Sequence, residues 1–205
     1  VMSQQLNSES PPAKRPAANA ISEDTILDAA AALMSAIGIR RTTMADVARS
    51  ADVSRATLYR RFPNVETLAA QVTTREFTRI AATAPVTDDP ETRQSMVLTL
   101  VHLVREARRH PLLRRIIELD PEFLTPYLLT RTGRTSRSQL AALEDVVGRG
   151  QANAEIRAGD TRRIATTVLQ MAWSFALTGP VFTDPENIDE LDAELSDLLE
   201  RYLRP

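Results

Sequence analysis

Apolar residues return along most of the chain at intervals of three and four, and no run alternates with period two, so the pattern predicts an all-α fold of about nine helices. Ser22 is placed to cap the first, with Ile21 stapling onto Ile26, while Ile26, Ala29, Ala30, Leu33 and Ile37 form one apolar stripe that Gly38 ends in a left-handed turn. Thr43 opens a short second helix with Asp46 as its capping partner and Met44, Val47 and Ala48 as its buried side. After a three-residue turn, Ser54 caps a third helix in which Leu58 and Phe62, four apart, must face inward. Pro63 stops that helix, and Asn64 caps a fourth that runs to about Ala82.

Further segments follow from about Pro90 to Arg109, from Leu112 to Leu119, from near Pro121, and from the "TGRTS" stretch to Ala154. "RAGD" then turns the chain into a helix from Asp160 to Thr178, closed by "GP". The last, near Ile188 to Leu203, sets Ile188, Leu191, Leu195, Leu198, Leu199 and Tyr202 on one face and acidic residues on the other. No internal repeat is present.

Composition adds limits. A 205-residue chain that is 43% apolar and 25% charged has material for one sizeable core or a small domain joined to a larger one. Without cysteine there is no disulfide framework, thiolate metal site or thiol nucleophile, which agrees with a cytoplasmic setting. The two histidines, His102 and His110, lie eight residues apart on the helical reading, too far along the axis to share a metal, and neither metal nor cofactor is expected. Residues 1–20, rich in proline, serine and alanine and lacking an apolar h-region, are expected to form a disordered tail. The most apolar window, 164–178, falls short of the roughly 20 residues of a membrane span.

Charge is distributed unevenly. Residues 40–61 hold six arginines against Asp46 and Asp52, a net +4, whereas residues 184–200 hold eight carboxylates and no base. The first segment would be drawn to a phosphate backbone and the second repelled. Two short helices joined by a tight turn, the second basic and propped from behind by Val53, Leu58 and Phe62, form the pattern of a helix-turn-helix, whose outward side chains meet base edges in the major groove.

The stretch "TTMADVARSADVSRATLYRRFPNVETLAAQV" resembles the DNA-binding region of the TetR family of bacterial transcriptional regulators, closely over Thr25 to Val72 and loosely beyond. The resemblance implies a three-helix DNA-binding domain over residues 21–66. It further implies a helical ligand-binding and dimerisation domain over 67–205, with a homodimer formed through the last two helices on palindromic double-stranded DNA. Carried over residue by residue, it makes Arg55, Ala56, Thr57 and Arg60 the base-reading candidates. Tyr59, Arg61 and Thr43 become phosphate contacts, with Arg41 and Thr42 beside them. The sequence departs from the family pattern at Asp52, where the turn usually has glycine, and at Val65, where a lysine is common.

Trp173, Met171, Met96, Phe123, Tyr127 and His102 are candidates to line a small-molecule site, each with core or dimer packing, or for His102 a satisfied semi-buried position, as the alternative reading. The acidic last helix reads either as a solvated face over a dimer seam or as a docking face for a basic partner. The leading expectation is a repressor released from its operator by a small-molecule effector. The alternative is a helix-turn-helix regulator governed by a protein partner or by no ligand. A DNA-processing enzyme using the same motif as an address would need a nucleophile beside basic groups or a carboxylate metal cluster, and the sequence shows neither.

Overall fold

The computed structural model describes residues 22–87, 89, 91–129 and 133–205, so the expected tail, the Ile21 staple and Asp88 lie outside the described residues. Among these, ten α-helices and two 3₁₀ turns occur and no strand. The helices are α1 Glu23–Ile37, α2 Met44–Ser50, α3 Arg55–Arg61, α4 Val65–Ala81, α5 Arg93–Arg109, α6 Pro111–Leu119, α7 Pro121–Leu129, α8 Arg134–Ala152, α9 Thr161–Leu177 and α10 Glu190–Leu203. None of them is long and apolar enough to cross a membrane.

The predicted caps form. The side chains of Ser22, Thr43, Ser54 and Asn64 accept from the backbone N–H three residues on, at 3.2, 3.1, 3.1 and 2.8 Å. Each satisfies a donor the helix cannot, worth about 1 kcal/mol. The α1 stripe is rotated from the expected one: Ile26, Leu27, Ala30 and Met34 are buried, Ala29 and Leu33 pack at the edge, and Ile37 is 37% exposed. The spacing allowed both faces, and the positions of α4 and α6 chose between them. In α10, Leu195, Leu199 and Leu203 point inward while Leu198 is 44% exposed.

Two apolar clusters hold the molecule. The first joins α1–α4 to Ala107 of α5, to Leu112, Leu113 and Ile116 of α6, and to Leu124 of α7. It therefore continues well past residue 66. The second packs the outer part of α5 with α8, α9 and α10 around Val147, Val168, Leu195 and Leu199. Each Leu or Ile taken from water into such a cluster contributes about 1.5–3 kcal/mol.

Polar ties cross these helices. Asp192 of α10 meets Arg105 and Arg108 of α5 at 2.7 and 2.8 Å, Asp189 meets Arg109 at 2.9 Å, and Glu200 meets Arg93 at 2.7 Å. Asp192 and Glu200 of the last helix, with Asp189 just before it, are thus matched within the chain by a row of arginines on α5, a pairing neither sequence reading of that face contained.

Candidate nucleic-acid interface

The turn between α2 and α3 is built by backbone bonds that close the end of α2. Val53 N–H donates to Ala48 O at 2.9 Å and Asp52 N–H to Arg49 O at 3.3 Å, with Asp52 at φ +53. This is a Schellman closure with a left-handed residue after the helix. Asp52 stands where only glycine, asparagine or aspartate adopts that conformation readily.

From that turn α3 leaves with its two faces sharply divided. Leu58 and Phe62 are buried in the first cluster, and Val53 packs against its edge. On the opposite side Arg55, Ala56 and Arg60 are exposed, Tyr59 is 52% exposed, and Thr57 and Arg61 are half-buried. The Thr57 hydroxyl lies 2.9 Å from that of the capping Ser54. Neither Arg55 nor Arg60 makes a side-chain hydrogen bond or ion pair among the described residues, so both guanidinium groups keep their planar donor forks for an outside acceptor. Arg61 makes an interaction within the chain.

Before α2, Arg41 and Thr43 are exposed, and Thr43 also donates to the Asp46 carboxylate at 2.6 Å. That bond, with the Arg49 guanidinium, holds the Asp46 carboxyl below its ordinary range. Asp46 therefore stays ionised beside the α2 terminus and offsets part of the local positive charge. Thr42 is a correction to the expected set. It is 3% exposed, and its hydroxyl donates to Gly38 O at 2.7 Å, so its side chain braces the loop from inside. A run of two threonines carries no signal that tells the inward one from the outward one.

The loop from Gly38 to Thr43 is also gripped from far along the chain. Ile39 N–H donates to Asp120 Oδ2 at 2.6 Å and Arg40 N–H to Asp120 Oδ1 at 3.3 Å. Arg40 also reaches Glu122 at 2.9 Å. Sequence reading missed Asp120, because "LDP" reads locally as a helix end and nothing near it announces a partner in the first bundle.

The effector-site candidates whose side chains are described fall in several different places. Met96 is buried in the second cluster, and Met171 packs on it. Trp173 stands edge-on to Phe77, ring centroids 5.8 Å apart, and His102 Nε2 is 3.0 Å from Thr83 Oγ1. Phe123 packs on the first cluster, and the Tyr127 side chain lies outside the described residues. The candidates whose side chains are described line neither of two hollows beside α4. One, of about 10 Å³, is bounded by Glu76, Phe77, His110 and leucines of α6. The other, an open cleft of about 250 Å³, lies between Arg79, Thr83, Glu106 and His110.

Residues 26–72 match the family model described as "Bacterial regulatory proteins, tetR family". Over 178 residues, 87% of this chain and 92% of the relative, the sequence is 29% identical to an uncharacterized HTH-type transcriptional regulator of Mycobacterium bovis. The fold is similar to that of TylP, a TetR regulator from Streptomyces fradiae, with TM-score 0.63 and 20% identity over 89% of this chain and 86% of that one. It is also similar to RolR, solved in complex with resorcinol, with TM-score 0.64 and 16% identity over 88% of this chain and 86% of that one. With the capped helices, the Schellman turn and the two-faced α3 all in place, residues 26–72 form a DNA-binding helix-turn-helix region of the TetR type, in a chain similar over most of its length to regulators of transcription.

Proposed function

We propose that the chain is a dimeric repressor that reads a palindromic operator with α3 and leaves it when a small molecule binds. The single observation that carries this reading is the division of α3: a buried Leu58/Phe62 side sets an exposed face of Arg55, Ala56, Tyr59 and Arg60 rigidly outward. Arg55, Ala56, Thr57 and Arg60 read base edges, while Arg41, Thr43, Tyr59 and Arg61 meet phosphates. Residues 21–66 form the DNA-binding domain, and 67–205 carry the effector and the dimer seam through α9 and α10. In the dimer the two copies of α3 lie about one turn of duplex apart, near 34–36 Å. The chain works in the cytoplasm, where its operator is.

RolR's resorcinol complex supports a small-molecule effector for this chain. The cleft beside α4, α5 and α6 is the space such a ligand would enter. A second reading, a regulator with no ligand or one set by a protein partner, is favoured by one fact: the more enclosed hollow, about 10 Å³, holds no more than one water. A thermal-shift screen with apolar and phenolic compounds separates the two, since only the first expects a concentration-dependent rise in melting temperature.

The DNA-reading proposal is tested by selecting bound fragments from genomic DNA and measuring operator affinity for Arg55→Ala and Arg60→Ala. Each variant should lose about 1–3 kcal/mol, roughly 5- to 150-fold, and relax the preference at one base pair per half-site. Wild-type affinity in both would remove the assignment.

A further inference from the structure

The loop joining α1 to α2 carries Arg41 and Thr43, yet it is held in place from outside the three-helix bundle. Two consecutive amides, those of Ile39 and Arg40, donate to the two oxygens of one carboxylate, Asp120, at 2.6 and 3.3 Å across some 80 positions of sequence. Asp120 is 2% exposed and caps the C-terminus of α6, its own N–H donating to Ile116 O at 2.9 Å. A buried carboxylate is tolerated only when its oxygens are hydrogen-bonded, and charge-assisted bonds of this kind are roughly twice as strong as neutral ones.

The backbone has been shaped for this approach. Gly38, at φ +88, passes so close that a Cβ there would stand 2.7 Å from Asp120 Oδ2 and 3.2 Å from Leu119. Alongside, Arg115 Nε of α6 donates to Ser35 O of α1 at 3.0 Å. Because the carboxylate takes the loop by its amides alone, it sets the path of the backbone and leaves the Arg41 and Thr43 side chains outward.

We propose that Asp120 is a positioning residue for DNA binding: from the corner between α6 and α7 it holds the Gly38–Thr43 backbone in the path that presents Arg41 and Thr43 to phosphate. The assignment rests on the DNA-reading proposal above. Loosening this grip lets the loop sample other paths, so Arg41 and Thr43 no longer meet phosphate while α3 and its core stay formed.

The test uses the full chain and an operator fragment obtained by genomic selection, at a temperature where circular dichroism shows every variant folded. Asp120→Asn keeps one acceptor and turns an amide N–H₂ toward the other donor. Its operator Kd should rise about 3- to 10-fold, with faster hydrogen exchange at Ile39 and Arg40 and none of that change in α4. The slope of log Kd against log salt should also fall by about 0.9 for each phosphate that the loop ceases to neutralise, a change that a smaller folded fraction cannot produce. Should Asp120→Asn fail to fold, Arg115→Gln decides, since it releases α6 from α1 without orphaning a loop amide. It should raise Kd about 2- to 3-fold with a shallower slope. A folded variant with wild-type Kd and slope overturns the assignment. If the wild type binds and Arg60→Ala does not while Asp120→Asn is unchanged, only the role of Asp120 falls. If Arg60→Ala binds like the wild type, the DNA-reading proposal falls first.

Discussion

Asp52 and Val65 are the two positions where the helix-turn-helix region departs from the pattern it resembles, and the structure gives each a physical meaning. Asp52 at φ +53 fills a left-handed position that aspartate tolerates better than most residues, so the helix-turn-helix turn closes without glycine. Val65, the first residue of α4 beyond the Asn64 cap, packs half-buried against the first cluster instead of offering a charge. A lysine there can keep its stem on that apolar surface while its ammonium reaches outward. Val65→Lys should therefore steepen the dependence of operator affinity on salt by about 0.9 log unit per log unit for each half-site. Titration of both proteins from low to high salt decides it, and equal slopes would show that no phosphate lies within reach.

Between elements, α1 and α4 are clasped by charge as well as by apolar packing. Asp28 of α1 accepts from Arg75 and from Arg79 of α4, both at 2.9 Å, and Glu76 meets the same two arginines at 2.8 and 3.3 Å. His110, at the start of α6, stands 3.5 Å from the other Glu76 oxygen. The hydrogen bond from Arg79, helped by the charges of Arg75 and Arg79, holds the Asp28 carboxyl below its usual range against the opposing effect of burial. A folded-state pKa below the unfolded one means that this contribution is complete above the ordinary aspartate value of about 3.9 and is lost as pH falls through the folded value. Asp28 is largely exposed, so Asp28→Asn should lower stability at pH 7 by only about 0.2–1 kcal/mol. Urea denaturation should show the two proteins converging at pH values below the folded-state pKa of Asp28; a gap that persists there would mean the loss is one of packing. The helices themselves were legible from their caps and from spacings such as Leu58/Phe62. The clasp was not, because nothing local to Arg75 and Arg79 in the sequence says that α1 will lie against them.

For the whole molecule, the reading requires two copies. Leu198 is 44% exposed on α10 while its neighbours Leu195 and Leu199 face inward, which leaves an apolar side chain on the helix expected to form the dimer seam. Leu198→Glu should shift the protein toward monomer in sedimentation experiments at micromolar concentration. Operator affinity should fall more than about tenfold, because one half-site alone is bound. An unchanged dimer would move the seam elsewhere. At this scale the division between sequence and structure is plainest. The sequence alone determined the helices, their caps, the stop at Pro63 and the two-faced α3, because all of these depend on residues within about one or two turns of each other and on the 3.6-residue period. Only the tertiary structure decided that Thr42 turns inward, that α5 arginines pair with Asp192 and Glu200 of α10, and that Asp120 grips a loop some 80 residues away. Those outcomes follow from which surfaces meet when helices pack, and side-chain periodicity states which face is apolar without naming the partner it will meet.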